Sequence, residues 1–220
     1  MKTLIFDSGP LINLLMNCFI YILEDLKKEF NGEFIITKEV KKEIIDRPLN
    51  IKRFKLGALR LKELFNKEII KHADITPEQV NELRIKRDKL MQLANTTFKT
   101  KGKYVHLIDR GEAAALALSQ MLNNAPLVID ERTTRMLCED PEKLRRLMEK
   151  KLHTLIKSKK ENYKFFKDFK IIRSTELIYI AYKKGLFHLK NKSILEAALY
   201  GLKFKGCSIS DQEIEKMKSL

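Results

Sequence analysis

Asp7, Glu43, Glu112 and Asp130 are the residues whose types and spacing suit shared chemistry. Asp7 follows the apolar run Thr3-Leu4-Ile5-Phe6 and precedes Ser8-Gly9-Pro10. Asp130 follows Leu127-Val128-Ile129 and precedes Glu131. Short apolar runs without alternating polar residues are the pattern of strands buried on both faces. Each run ends in an acid, at the end of a strand where open α/β sheets bind ligands. Glu43 and Glu112 fall on predicted helices between those strands, so one sheet edge can gather four carboxylates. Crowded carboxylates repel one another and take up protons unless a cation neutralises them. Mg²⁺ or Mn²⁺, hard ions that prefer oxygen, suit such a set. An ion of that kind can activate water against a phosphodiester. The simpler role for Asp7, and for one of Asp109 and Glu112, is capping, because acids favour helix N-termini.

The elements that must position these acids follow from the same patterns. Leu11, Ile12, Leu14 and Leu15 start a helix expected to run to about Phe30, and Asn31-Gly32 turns the chain. Glu33-Phe34-Ile35-Ile36 is a second strand, and Thr37 caps a helix carrying Val40, Glu43 and Ile44, with Glu39 one turn before Glu43. Arg47-Pro48 ends it. Residues 50–105 form a basic, helical region. Within it Phe54, Ala58, Leu61 and Phe65 share a face, and Ile69-Ile70 centres a possible strand. Thr76-Pro77-Glu78-Gln79 opens a long helix to about Ala94, with Val80, Leu83, Ile85 and Leu90 on its apolar side. Residues 95–103 are expected to be a mobile loop, and 76–105 an insertion or projecting hairpin. Asp109 and Glu112 open an Ala-rich helix suited to close packing on a sheet. Lys170-Ile171-Ile172-Arg173 is a further strand, Thr175 caps the helix after it, and Ser210 opens a terminal one.

The 220 residues carry a net charge of +15. That field attracts polyanions and makes nucleic acid the leading partner class. Residues 141–170 interleave Lys and Arg with Tyr163, Phe165, Phe166 and Phe169, a composition suited to tracking a phosphate backbone. Lys157, Lys159, Lys160 and Lys164 are the candidate contacts, although aromatics at such spacing are more often core. The chain has no run of eighteen apolar residues and no basic-then-apolar leader, so a cytoplasmic protein without a membrane span is expected. Cys18, Cys138 and Cys207 form no Cys-x-x-Cys pair, and His72, His106, His153 and His188 are scattered. A zinc site, a glycine-rich phosphate loop and a Gly-x-Ser-x-Gly elbow are all missing. A phosphatase built on an Asp-ended first strand is disfavoured, because Gly9 stands where a second Asp is needed.

LIFDSGPLINLL, TKEVKKEII, DRGEAAALALS and PLVIDERTTRML resemble the successive motifs of the PIN-domain superfamily. ELIYIAYKKGLFHLKNKSILEAAL and GCSIS are similar to the tail of a prokaryotic, toxin-like PIN subgroup. The resemblance covers about 1–48 and 106–218. It implies a single α/β domain over 1–220, with a parallel sheet of about five strands flanked by helices and a helical insertion. It also implies a divalent-metal-dependent endoribonuclease acting on RNA, often the toxin of a toxin–antitoxin pair and often a homodimer. By position Asp7, Glu43, Glu112 and Asp130 would be the metal-binding acids, with Asp109 competing for the third place and Glu39 for the second. Ser8 would steady Asp7, and Glu131 would stand for the extra acid that often follows the fourth motif. A DNA nuclease is the neighbouring expectation. A catalytically silent PIN-like nucleic-acid-binding or scaffold protein is the alternative.

Overall fold

The computed structural model describes residues 2–219. Strands β1 (Thr3–Phe6), β2 (Glu33–Ile36) and β3 (Lys71–His72) form under the runs expected of them. A hairpin of β4 (Phe98–Thr100) and β5 (Lys103–Tyr104) precedes β6 (Leu127–Val128), β7 (Lys157–Ser158) and β8 (Ile171–Ile172). Five strands make an all-parallel sheet in the order β3-β2-β1-β6-β8. Phe6 pairs with Ile36 and with Val128, and Val128 pairs with Ile172. This register sets Asp7, Thr37, Ile129-Asp130 and Arg173-Ser174 along one carboxyl edge.

Helices cover both faces of the sheet, and strand residues alternate between them as the two-residue period requires. Leu4, Phe6, Phe34, Ile36 and Val128 pack with α1 (Ser8–Met16), α2 (Ile22–Phe30), α9 (Ser174–Lys183) and α10 (Ile194–Phe204). Ile5, Ile35, Leu127 and Ile129 pack with α5 (Pro77–Asn95) and α6 (Arg110–Met121). The remaining helices are α3 (Lys38–Lys41), α4 (Lys55–Asn66), α7 (Arg132–Glu139), α8 (Pro141–Leu152) and α11 (Asp211–Ser219). None of the described helices is long and apolar enough to cross a membrane.

Several expectations are corrected. The helix predicted to reach Phe30 breaks at Asn17–Tyr21, where Cys18 takes φ +60° and Phe19 N–H closes on the Leu14 carbonyl. The apolar pattern continues across the break because α2 folds Ile22, Leu23 and Leu26 back onto the core of Leu11 and Leu14. Phe54 and Ile85 are exposed, and Thr175 lies inside α9, which starts one residue earlier. The segment 76–105 is a core unit: α5 packs on α6 and buries Leu90 and Ala94. The expected mobile loop at 95–103 is the β4–β5 hairpin. Lys101 and Gly102 both take positive φ, as a two-residue hairpin loop requires. With β7 it forms a second, antiparallel sheet in the order β5-β4-β7. Phe98, fully buried, anchors it. Phe98→Ala should destabilise the protein by about 3–5 kcal/mol in denaturant unfolding; a loss below about 1 kcal/mol would show the hairpin unpacked.

Candidate functional site

Three local devices aim the acids. Asp7 ends β1 and directs its carboxylate from the sheet edge. The backbone of Asp7 starts α1, and its carboxylate faces the Ser8 and Gly9 N–H groups of the first turn without a full capping hydrogen bond. Thr37 caps α3, its hydroxyl accepting from Val40 N–H at 3.2 Å. The helix then widens into a π-helical turn, Lys42–Asp46, which contains Glu43. Such turns insert a residue and re-aim side chains. Third, α6 presents its first turn to the same place: a methyl on Gly111 would come within 3.5 Å of Glu43 Oε2.

Glu112 is mostly buried. Its Oε1 accepts from the Thr134 hydroxyl at 2.5 Å and its Oε2 from the Asp109 N–H at 2.6 Å. The Asp109 side chain is instead exposed and bonded to His106 Nε2 at 2.7 Å. Of the two acids on this turn, Glu112 faces the site. Glu39 is tied to the buried Arg87 at 2.6 Å, which leaves Glu43 as the acid of the second motif nearest Asp7. Glu131 caps α7 through Thr134 N–H, and its charge bears on Glu112. Ser8 sets its backbone N–H beside the Asp7 carboxylate.

Asp130 differs from the others. Buried in the core's edge, it accepts from Asn13 Nδ2 (2.5 Å), Ser174 N–H and Oγ–H (both 2.7 Å) and Cys207 Sγ–H (3.3 Å). Four donors occupy the four lone-pair directions of a carboxylate. Asn13, Ser174, Cys207 and Thr134 form the support of the site, and none was singled out from sequence. Asp130 touches three of them across large gaps in the chain. Thr134 alone carried a local signal, its place one turn after the acid pair.

The electrostatics separate these acids. Burial raises the Asp7 carboxyl to about 6; the Ser8 and Gly9 N–H groups oppose this, and the charges of Glu43 and Asp130 add to it. Burial raises Glu112 to about 7, with Thr134 and the Asp109 N–H opposing and Asp7 and Glu131 adding. Asp7 therefore feels Glu43 and Asp130, and Glu112 feels Asp7: the four converge as a field. Among the described residues no three His, Cys, Asp or Glu stand together as a ready ion cage. Asp7, Glu43 and Glu112 retain lone pairs that suit a hard divalent cation, whereas Asp130 would first have to release a donor.

Glu43 lines a cleft of about 630 Å³ together with Lys38, Lys42, Arg47 and Arg110 and the acids Glu39 and Asp109. The lysines proposed from composition lie elsewhere. Lys164 shares a cavity with Asn124 and Asp168, which lead into the amino ends of β6 and β8, away from the acids. Lys157 sits on the second sheet opposite Lys99, and Lys159 lies over the Tyr104 ring at 5.2 Å. Lys160, itself exposed, begins the 3₁₀ segment that follows. Phe166 and Phe169 are core residues and present no stacking face.

No protein-family model, curated protein or solved structure matches this chain.

A carboxyl whose pKa is higher folded than unfolded stabilises the protein at low pH and loses that contribution as pH rises through the folded value. For Asp7, with 3.8 as its ordinary value and about 6 folded, this is worth about 3 kcal/mol. With chelator present, Asp7→Asn should gain stability over the wild type as pH rises from about 4 to 7. A stability difference that stays constant across that window would mean that Asp7 is ionised without cost.

Proposed function

We propose that this chain is a divalent-metal-dependent endoribonuclease of PIN-like architecture. The observation that carries the reading is the pairing of two unlike surfaces. Asp7, Glu43 and Glu112 form an acidic edge in which burial raises the Asp7 carboxyl to about 6 and the Glu112 carboxyl to about 7, so that both favour a neutralising partner. Glu43 also lines a cleft whose wall carries four cations, Lys38, Lys42, Arg47 and Arg110, together with Glu39 and Asp109. A phosphodiester strand suits the cations, and the acids suit an ion that neutralises them.

A bound Mg²⁺ or Mn²⁺ supplies charge stabilisation for the phosphodiester and acidifies water for attack. Asp7, Glu43 and Glu112 would provide the oxygens that hold it. Thr134 and the Asp109 N–H fix the orientation of Glu112. Lys38, Lys42, Arg47 and Arg110 would hold the flanking phosphates. Asp130, already saturated, orients α1 and α9 around the edge and so places Asp7. In this respect the proposal departs from the ligand set that the resemblance implies.

RNA rather than DNA, a toxin role with an antitoxin partner and a homodimer rest on the resemblance of the motifs, and a cytoplasmic location on the sequence composition. A catalytically silent nucleic-acid-binding protein is the second reading, favoured by the saturated Asp130 and the lack of a preformed cage among the described residues.

Purified protein should cleave a mixed single-stranded RNA with Mn²⁺ or Mg²⁺ and not with chelator. Asp7→Asn and Glu112→Gln should each lower the rate at least about 100-fold, the scale of removing a group that positions charge. RNA binding without cleavage, equal in wild type and variants, would move the assignment to the silent reading. Cleavage undiminished in both variants would remove the acid edge as the site.

A further inference from the structure

A second cavity, of about 470 Å³, lies between the carboxyl ends of β2 and β3 and the first half of α5. Its walls are largely apolar, with Ile36, Val80, Leu83 and Leu118 among them, and His72, Asn81 and Arg84 supply polar groups. Apolar walls with a few placed polar groups are the make-up of a site for a flat organic ligand. Lys38 and Glu39 line both this cavity and the cation-lined cleft beside the acids, so the two spaces adjoin.

The polar groups are held in place. His72 Nδ1 lies 3.1 Å from the Ile36 carbonyl. That carbonyl can only accept, so the proton sits on Nδ1 and Nε2 is left as an acceptor. The Phe65 ring meets the imidazole edge-on with centroids 5.1 Å apart, which restrains it. Asn81 is exposed, its Oδ1 accepting from Arg84 at 3.1 Å. The Asn81 amide N–H groups remain available as donors. The buried Arg87 holds Glu39 at 2.6 Å, fixing the partition between cavity and cleft.

We propose that this cavity is a nucleobase subsite, taking one unstacked base of the strand whose phosphates lie in the adjoining cleft. The proposal rests on the nucleic-acid reading above and adds to it a place where sequence preference is set. The apolar walls face the planar base, His72 Nε2 accepts from a ring or exocyclic N–H, and Asn81 donates to a base carbonyl or ring nitrogen. Single-stranded recognition of this kind, with an unstacked base read on its edges, is the usual route to RNA specificity.

The test is titration of the full chain, in chelator, with the ribonucleoside 5′-monophosphates while the His72 imidazole resonances are followed by NMR. At least one monophosphate should shift them, and ribose 5-phosphate, which lacks a base, should not. Val80→Phe, which fills the cavity, should abolish the shift. Asn81→Ala, at an exposed position that folding tolerates, should weaken binding about fivefold, the loss of one hydrogen bond. Resonances unmoved by every monophosphate would overturn the proposal, as would equal movement by ribose 5-phosphate. Affinity unchanged in Asn81→Ala and in folded Val80→Phe would do the same. Because no cleavage occurs in chelator, these outcomes are independent of whether the acid edge is catalytic.

Discussion

The carboxylate of Asp130 is the contact on which the rest of this edge depends. A buried charge is costly unless hydrogen-bonded on all sides, and four donors meet it from three directions. Asn13 comes from the second turn of α1, Ser174 from the start of α9, and Cys207 from the segment leading to α11. The Asp130 carbonyl also accepts from Ser208 N–H, so backbone and side chain hold the same segment. Arg173 reinforces this by bonding the Ser208 carbonyl and ion-pairing with Glu176 and Glu213. One acid thereby fixes the relative positions of β6, α1, α9 and the chain's last segment.

Asp7 shows what the same residue type does with fewer donors, the Ser8 and Gly9 N–H groups alone. It ends the neighbouring strand and is also buried, yet its side chain makes no full capping hydrogen bond. Desolvation that the Ser8 and Gly9 N–H groups only partly offset raises its pKa, and like charges raise it further. The edge thus divides its acids by environment: a satisfied one that builds the scaffold, and under-satisfied ones that favour a proton or a cation. Glu112 stands between these cases, with one donor on each oxygen and a pKa still raised by burial. This asymmetry, more than the number of acids, distinguishes a site poised for an ion from a set of helix caps.

The layers behind the edge explain why it holds its shape. Strand residues divide between two cores, one built with helices from both ends of the sequence and the other with helices from its middle. α5 and the β4–β5 hairpin close one face of the sheet, and α5 also carries Arg87 to Glu39. The middle of the chain therefore walls the cleft and shapes the second cavity, although no motif there announces chemistry.

Features decided within a few residues were legible in the sequence. The apolar runs of β1, β2 and β6 gave buried strands, the first and last ending in acid, Thr37 and the Thr76–Gln79 capping box set helix starts, and Ser210 with Glu213 opened the last helix. Each is local, so spacing along the chain carries it. The parallel sheet and the carboxyl edge followed from those strands. The break at Cys18, the π-helical turn at Glu43 and the packing of 76–105 did not follow, because each is settled by what lies across from it. The support of Asp130 is the plainest case: its partners lie 117, 44 and 77 residues away. No local pattern marks Asn13, Ser174 or Cys207 as ligands of one carboxylate. The sequence alone determined which residues could be acids at strand ends. Only the tertiary structure decided which acid is saturated and which is left wanting charge, because a hydrogen-bond partner is set by register and packing rather than by spacing along the chain.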